Sequence, residues 1–318
     1  MKRIIALIAA CTSPTAHAET LYVSNEHGNS VTVIDAQTLK PVATWPVGGR
    51  PRGIAVSRDG KSLFVAASND HAVQVYDRTT GRHIADLPSG EDPEQFFPSR
   101  DGKTLYVGNE DNAALTAIDI ATRTVAFQVD VSKQPEGVAE SIDGKWLVVT
   151  SEDEAVVNWI DLATHKLVAT IPSEQRPRHA EFTADGKQVW IAAETGGVVQ
   201  IADVATHAFI ETIHFAPPGA KDFQILPCGI RFTPDGKTAV VALGRANTIA
   251  LVDVATRKVR AYVPVGKRVW HLALSPDGTR AYTANGLSDD VTVVDLTTAK
   301  PIATIPAGSA PWGVAVAP

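Results

Sequence analysis

The chain is poor in cysteine and methionine, with two Cys and one Met in 318 residues. If residues 1–18 are removed, Cys228 is the only thiol left, which excludes an intramolecular disulfide and leaves packing to hold the fold. Beyond the first dozen residues no apolar run approaches the roughly 18 needed for a spanning helix. Familiar catalytic signatures are missing too: there is no G-x-S-x-G elbow, Walker loop, H-E-x-x-H or paired C-x-x-C, and no two of the nine histidines stand at i, i+4. No stretch after residue 18 carries a convincing helical period. Basic charge is short as well. Twenty-nine Lys and Arg face 35 Asp and Glu, a formal net charge of -6, and without Lys2 and Arg3 it becomes -8. A uniformly basic nucleic-acid surface is therefore not expected.

The first residues read as an address. Met1-Lys2-Arg3 is a short basic head, Ile4 to Cys11 is a short apolar stretch, and Ala16-His17-Ala18 places small residues where a signal peptidase reads. Cleavage before Glu19 predicts a signal peptide over 1–18, a single domain over 19–318, and a periplasmic protein. Ile8-Ala9-Ala10-Cys11 supports a second reading, a lipoprotein anchored through Cys11.

Repetition dominates the remainder. Val-Thr-Val-Ile-Asp at 31–35 recurs as related segments ending at Asp77, Asp119, Asp161, Asp203, Asp253 and Asp295. The step is 42 residues, except for one of 50 between Asp203 and Asp253, and Asp-Gly pairs keep the same beat. A period near 42 is that of a four-stranded propeller blade. Within one repeat, 53–57, 63–67, 73–76 and 83–87 read as successive strands, with Asp59-Gly60 as a tight hairpin. The chain starts on a second strand, 21–25, and ends on an inner strand, 312–316, so one blade must combine both termini. The prediction is an all-β, seven-bladed propeller closed as a circle.

Tyr22-Val-Ser-Asn25, Tyr106-Val-Gly-Asn109 and Tyr282-Thr-Ala-Asn285, each followed by a Val-x-Val-Ile-Asp type segment, resemble the YVTN-type propeller repeat. Blade-specific motifs occur in order: Arg50-Pro-Arg-Gly-Ile-Ala55, Asp92-Pro-Glu-Gln-Phe96, Gln134-Pro-Glu-Gly137, Arg176-Pro-Arg178, Arg268-Val-Trp270 and Pro311-Trp-Gly-Val-Ala-Val316. Over nearly the whole chain after residue 18 these are similar to the β-propeller protein family associated with catabolism dependent on pyrroloquinoline quinone (PQQ). The resemblance implies a periplasmic accessory protein without established enzymatic activity, working beside a PQQ-dependent dehydrogenase, a cytochrome or an ABC transporter subunit. A monomer is expected.

In a propeller, the links into the inner strands and the turns between second and third strands share one face. Repeat arithmetic gathers Arg52, Glu94, Glu136, Arg178, Cys228, Trp270 and Trp312 into one ring there. Gln95, His179 and His271 stand one position later, and Arg50, Arg176 and Arg268 precede the repeat proline or its equivalent. With Asp92 in the same slot as Arg50, five arginines, three acids, two histidines and two tryptophans in slots that a purely structural repeat would fill interchangeably suggest a ligand-binding channel mouth. Arginine forks suit carboxylates and tryptophan faces suit flat conjugated rings, so PQQ is a candidate ligand. The alternative is a plug in which these charges neutralise one another. Glu94, Glu136, His179 and His271 also keep a lactonase-like hydrolase open, since hydrolytic propellers use carboxylates and histidine at this mouth. A platform for docking a protein is the third reading.

A second ring holds Glu110, Glu152 and Glu194 in consecutive blades, flanked by Asp111 and Asp153. It is a candidate Ca²⁺ site if these acids are not simply a solvated rim. The repeat aspartates are expected to cap turns. The extra residues near 216–224 lengthen one mouth loop beside Cys228, a thiol that is reactive if exposed and inert if buried.

Overall fold

A computed structural model describes residues 19–317, so the signal-peptide and Cys11 readings lie outside the described residues. Seven four-stranded antiparallel sheets form seven blades. Apart from strands, the described residues contain only two single-turn 3-10 segments, Ser68–Asp70 and Asp222–Gln224. Blade 2 shows the plan, with Pro51–Val56 innermost, then Ser62–Ala67, Ala72–Asp77 and His83–Pro88 outermost. The Asp-Gly hairpins run as expected. Gly60 and its five repeat equivalents all adopt positive φ, between 68° and 75°, which an L side chain rarely tolerates.

Burial explains the composition of each strand. Middle strands such as Ser62–Ala67 (SLFVAA) are covered on both faces by neighbouring blades and read as continuous apolar runs. Outer strands such as Lys40–Pro46 (KPVATWP) are largely exposed, and Pro41 removes an edge donor that another chain would pair with. The core is divided into seven clusters of buried apolar side chains, one between each pair of adjacent blades. In one of them Phe64, Val73 and Leu87 of blade 2 pack on Leu105, Val107 and Ile118 of blade 3.

Both ends of the chain build blade 1. Thr20–Asn25 pairs with Ser30–Asp35 on one side and with Pro311–Ala317 on the other, bringing Thr20 opposite Ala317. Asn25 secures the closure from a fully buried position. Its Nδ2 donates to Ser30 Oγ at 3.1 Å and Thr32 Oγ1 at 2.9 Å, while its Oδ1 accepts from Gly308 N at 3.0 Å.

The repeat aspartates are turn caps, as their recurrence in every blade suggested. Asp35 Oδ1 accepts from the N–H groups of Gln37 and Thr38 at 2.9 and 2.7 Å, and the six equivalents hold their turns in the same way. Hydroxyls stitch one blade to the next: Ser24 Oγ donates to Arg52 O at 2.6 Å and Ser68 Oγ to Pro93 O at 2.7 Å.

The Asn25→Ala variant is expected to lose about 1–3 kcal/mol, because Thr32 Oγ1 and Gly308 N are left without their partner in a buried seam. Urea denaturation followed by tryptophan fluorescence measures this. An unchanged midpoint would mean that the closing seam does not depend on this side chain.

Candidate functional site

The links into the inner strands share an unusual backbone. Arg50, Asp92, Gln134, Arg176, Arg268 and Ala310 all sit in the left-handed region, with φ between 48° and 61°. The bend is held by the preceding blade: Asn29 Oδ1 accepts from Arg50 N at 3.0 Å, and Asn247 Oδ1 from Arg268 N at 2.9 Å. At Arg50, Arg176 and Arg268 this turn carries the side chain in among the carboxylates of the first and second rings.

The result is a closed network of ion pairs. Arg178, almost fully buried, is gripped by three glutamates. Its Nη2 lies 2.6 and 2.7 Å from the two Glu136 oxygens, its Nε 2.9 Å from Glu152 Oε1, and its Nη1 3.0 Å from Glu194 Oε2. Arg176 Nε adds 2.8 Å to Glu152 Oε2, and Arg268 Nη2 adds 2.5 Å to Glu194 Oε1. On the other side Arg50 reaches Asp92 Oδ1 at 2.8 Å and Glu94 Oε1 at 3.1 Å. Arg52 bonds Glu26 Oε1 at 2.9 Å and also Glu94. All five arginines predicted for the mouth therefore already hold carboxylates of the chain itself.

Tryptophans back the network. The Arg268 guanidinium carbon lies 3.6 Å from the Trp270 ring centroid, Arg178 lies 5.2 Å from the same ring, and Arg52 lies 5.7 Å from Trp312. Trp312 is buried and Trp270 half-buried, with 6.5 Å between their rings.

Burial and mutual repulsion decide who holds protons. Burial would raise Glu136, but Arg178, a hydrogen bond from Glu152, and Arg52 bring it down to about 2. Burial followed by the Glu136 charge pushes Glu152 up to about 9 against the pull of Arg178. The two titrate as a pair, with the shared proton on Glu152. Glu94 is raised well above its ordinary range, first by burial, and the charges of Glu136 and Glu110 add to the rise against the pull of Arg52. Glu194 is lowered, because Arg178 and Arg268 outweigh its burial.

His179 and His271 lie one layer deeper than the arginines, where with Gln95 they fill the axis. His179 Nδ1 is 3.2 Å from Gln95 Oε1, and Gln95 Nε2 donates to Arg178 O at 2.9 Å and lies 3.5 Å from His271 Nε2. The imidazoles are 5.4 Å apart, and His271 packs on Trp312 at 4.3 Å. Burial lowers both below the usual histidine range, His271 furthest, so the plug is neutral near pH 7.

Of the predicted second ring, Glu152 and Glu194 are taken up by arginines. Glu110 instead groups with Asp92 and Glu94, their nearest oxygens within 4.8 Å of one another, with Arg50 already bonded to two of the three. Cys228 is fully buried; burial and then Glu194 push its thiol up to about 12, and it donates to Leu226 O at 3.2 Å. Such a thiol is inert. The inserted loop keeps Phe223 72% exposed on the mouth rim.

Glu26, nine residues before Asp35 and so in the column of Glu110, Glu152 and Glu194, completes the Arg50–Arg52 cluster; sequence reasoning passed over Glu181 and Arg231. The latter pair was visible in the repeat. Four positions after the proline or its equivalent the inner strands carry Ala55, Phe97, Ala139, Glu181, Arg231, Ala273 and Ala315, so two charges interrupt an apolar column.

The profile of seven-bladed β-propeller lactonases matches residues 138–299, just over half of the chain. The chain belongs to the seven-bladed β-propeller lactonase family. A second profile, that of YNCE-like β-propellers, matches residues 9–97. Among solved structures this lactonase-family chain is similar to the hydrazine synthase of Kuenenia stuttgartiensis, with TM-score 0.79, 26% identity, and coverage of 87% of this chain and 92% of that one. It also resembles a putative 6-phosphogluconolactonase from Bacteroides uniformis, with TM-score 0.78, 17% identity, and coverage of 95% and 100%. A functionally unknown protein from Desulfotomaculum acetoxidans gives TM-score 0.79 at 14% identity, covering 93% and 98%. The last two likenesses are of fold alone. No curated protein matches the chain.

Two variants test the network. Arg178→Met is expected to cost roughly 3–5 kcal/mol, because the Glu136 and Glu194 carboxylates lose a buried counter-charge and Glu152 a donor. Glu152, raised in the folded state, contributes stability that is complete below its ordinary pKa of 4.5 and is lost as pH rises through about 9. Denaturation midpoints of the native sequence are expected to fall between pH 5 and 9, and Glu152→Gln to flatten that slope. A slope unchanged in the variant would locate the titration elsewhere.

Proposed function

We propose that the protein is a non-catalytic periplasmic scaffold, accessory to PQQ-dependent alcohol oxidation or its associated transport, that docks a dehydrogenase, cytochrome or transporter subunit. One observation carries the non-catalytic part: the mouth groups with catalytic potential are buried and bound to one another. Glu94 and Glu136 hold arginines, His179 and His271 fill the axis, and Cys228 is sealed. A general acid or base needs a reacting atom within hydrogen-bond reach, and here the chain's own side chains take that place. The family resemblance in the blade-specific motifs supplies the setting.

The same saturation weighs against a quinone tricarboxylate at the mouth. Around the five arginines stand Glu26, Asp92, Glu94, Glu110, Glu136, Glu152 and Glu194, seven acids in all. Added carboxylates would meet these charges and would have to displace them from the arginines.

Lactone hydrolysis is the second reading, and the family profile over residues 138–299 favours it, since that segment includes His179 and His271, with Glu94 and Glu136 outside it.

The deciding measurement is a titration of residues 19–318 with PQQ, with and without Ca²⁺, by tryptophan fluorescence and calorimetry. No saturable binding below about 1 mM, roughly -4 kcal/mol, is expected. Micromolar binding lost in Trp270→Ala and Arg50→Gln would replace the scaffold with a cofactor-handling protein. In parallel, a lactone panel is expected to show no turnover above background; turnover abolished by His179→Ala would establish the hydrolase.

A further inference from the structure

The Gln95–His179–His271 layer divides the axial channel in two, because all three side chains are more than nine-tenths buried. Above it lies the ion-paired mouth. Below it the channel opens toward the opposite face, where the Asp-Gly hairpins are. Its lower half is lined by Glu181 and Arg231, whose side chains are 28% and 36% exposed although both stand on inner strands beside the axis.

The acid excess of the mouth is not repeated here. Arg231 uses one nitrogen for its contacts inside the chain: Nη1 lies 3.0 Å from Glu181 Oε2, 2.7 Å from His179 Nε2 and 2.8 Å from Ile230 O. Its Nε and Nη2 have no partner among the described residues. Arg100 stands at the same opening, its guanidinium carbon 5.8 Å from the Phe97 ring centroid. Its Nε and Nη2 donate to backbone carbonyls of Ser141 and Glu140 at 3.0 and 3.2 Å, and it makes no ion pair among the described residues. Burial would raise Glu181, yet Arg231, His179 and the more distant Arg100 together hold it below its ordinary value, so both guanidiniums bear on this carboxylate.

We propose that the lower half of the channel is a binding site for a small oxyanion, a carboxylate or a phosphate, held by Arg231 and Arg100 with Phe97 as its apolar wall. The free Nε and Nη2 of Arg231, with the exposed Arg100 on the hairpin that follows Pro93–Pro98, are suited to planar or tetrahedral oxyanions, because the guanidinium fork supplies paired donors. The neutral His179 imidazole forms the floor and accepts from Arg231, which fixes the guanidinium plane. Glu181 is the internal competitor: it occupies one edge of Arg231 and so limits the site to ligands that use the other edge. The site is separate from the mouth and does not depend on the scaffold reading.

Calorimetric titration of residues 19–318 with citrate and, separately, with inorganic phosphate tests this at low ionic strength. Saturable binding of at least one of the two at millimolar or lower concentration is expected, and which one binds settles carboxylate against phosphate. Arg231→Gln and Arg100→Gln should each weaken it tenfold or more, with Arg50→Gln at the mouth leaving it unchanged. Glu181→Gln should tighten it several-fold by removing the competitor, a gain that a disturbed fold would not produce. Circular dichroism of each variant controls for folding. Absence of saturable binding by both anions, equal weakening by Arg50→Gln, or weaker binding in a folded Glu181→Gln would overturn the proposal.

Discussion

Seven inner strands converge on one axis, and nearly everything else follows from that crowding. A side chain there either disappears or finds a partner from another blade. Gly53, Gly137, Gly229 and Gly313 take the first course; a Cβ at Gly137 would come within 2.8 Å of Arg178 O. Gln95, His179 and His271 occupy equivalent positions and take the second, since each is accommodated only by reaching across the axis to another. The ion network above them obeys the same rule on a larger scale. Arg178 is tolerable because glutamates of blades 4 and 5 surround it, and those glutamates are tolerable because of Arg178 and the proton that Glu152 keeps.

This interdependence separates the two ends of the channel. At the mouth seven acids surround five arginines, with a proton kept on Glu152, which makes a lock between blades. At the opposite end Glu181 stands against Arg231 and Glu140 against Arg100, and the Nε and Nη2 of Arg231 remain available to a guest. A charged ring is thus a poor guide to function until its internal pairings are known, and the exposed end of this channel is the less conspicuous one in sequence.

Much of the fold was legible because repetition turns each strand into seven readings of one pattern. The Asp-Gly hairpins, the aspartate turn caps and the closure of 21–25 on 312–316 all came from period and position. The rings of mouth residues were legible too, as membership. What stayed hidden was partnership. Glu152 and Glu194 looked like metal ligands in a column of acids, because sequence places Arg176, Arg178 and Arg268 in other columns and gives no side-chain reach. Burial of Cys228 was equally hidden, since one thiol beside an inserted loop fits either state. Glu181 and Arg231 were present as exceptions in an alanine column, but the arithmetic stopped one turn of the strand too early.

The seam in blade 1 also governs the order of events during folding. Blades 2 to 7 are each drawn from a continuous stretch of chain and can form as local hairpins soon after their residues are available. Blade 1 cannot, because Thr20 must wait for Ala317, nearly the whole length of the chain away. Until then the ring is an open arc, with the inner edge of Thr20–Asn25 unpaired and one of the seven apolar clusters exposed between blades 1 and 7. Closing so long a loop costs the most entropy, so the lifetime of the vulnerable state depends on the docking of Pro311–Ala317 rather than on the stability of any blade.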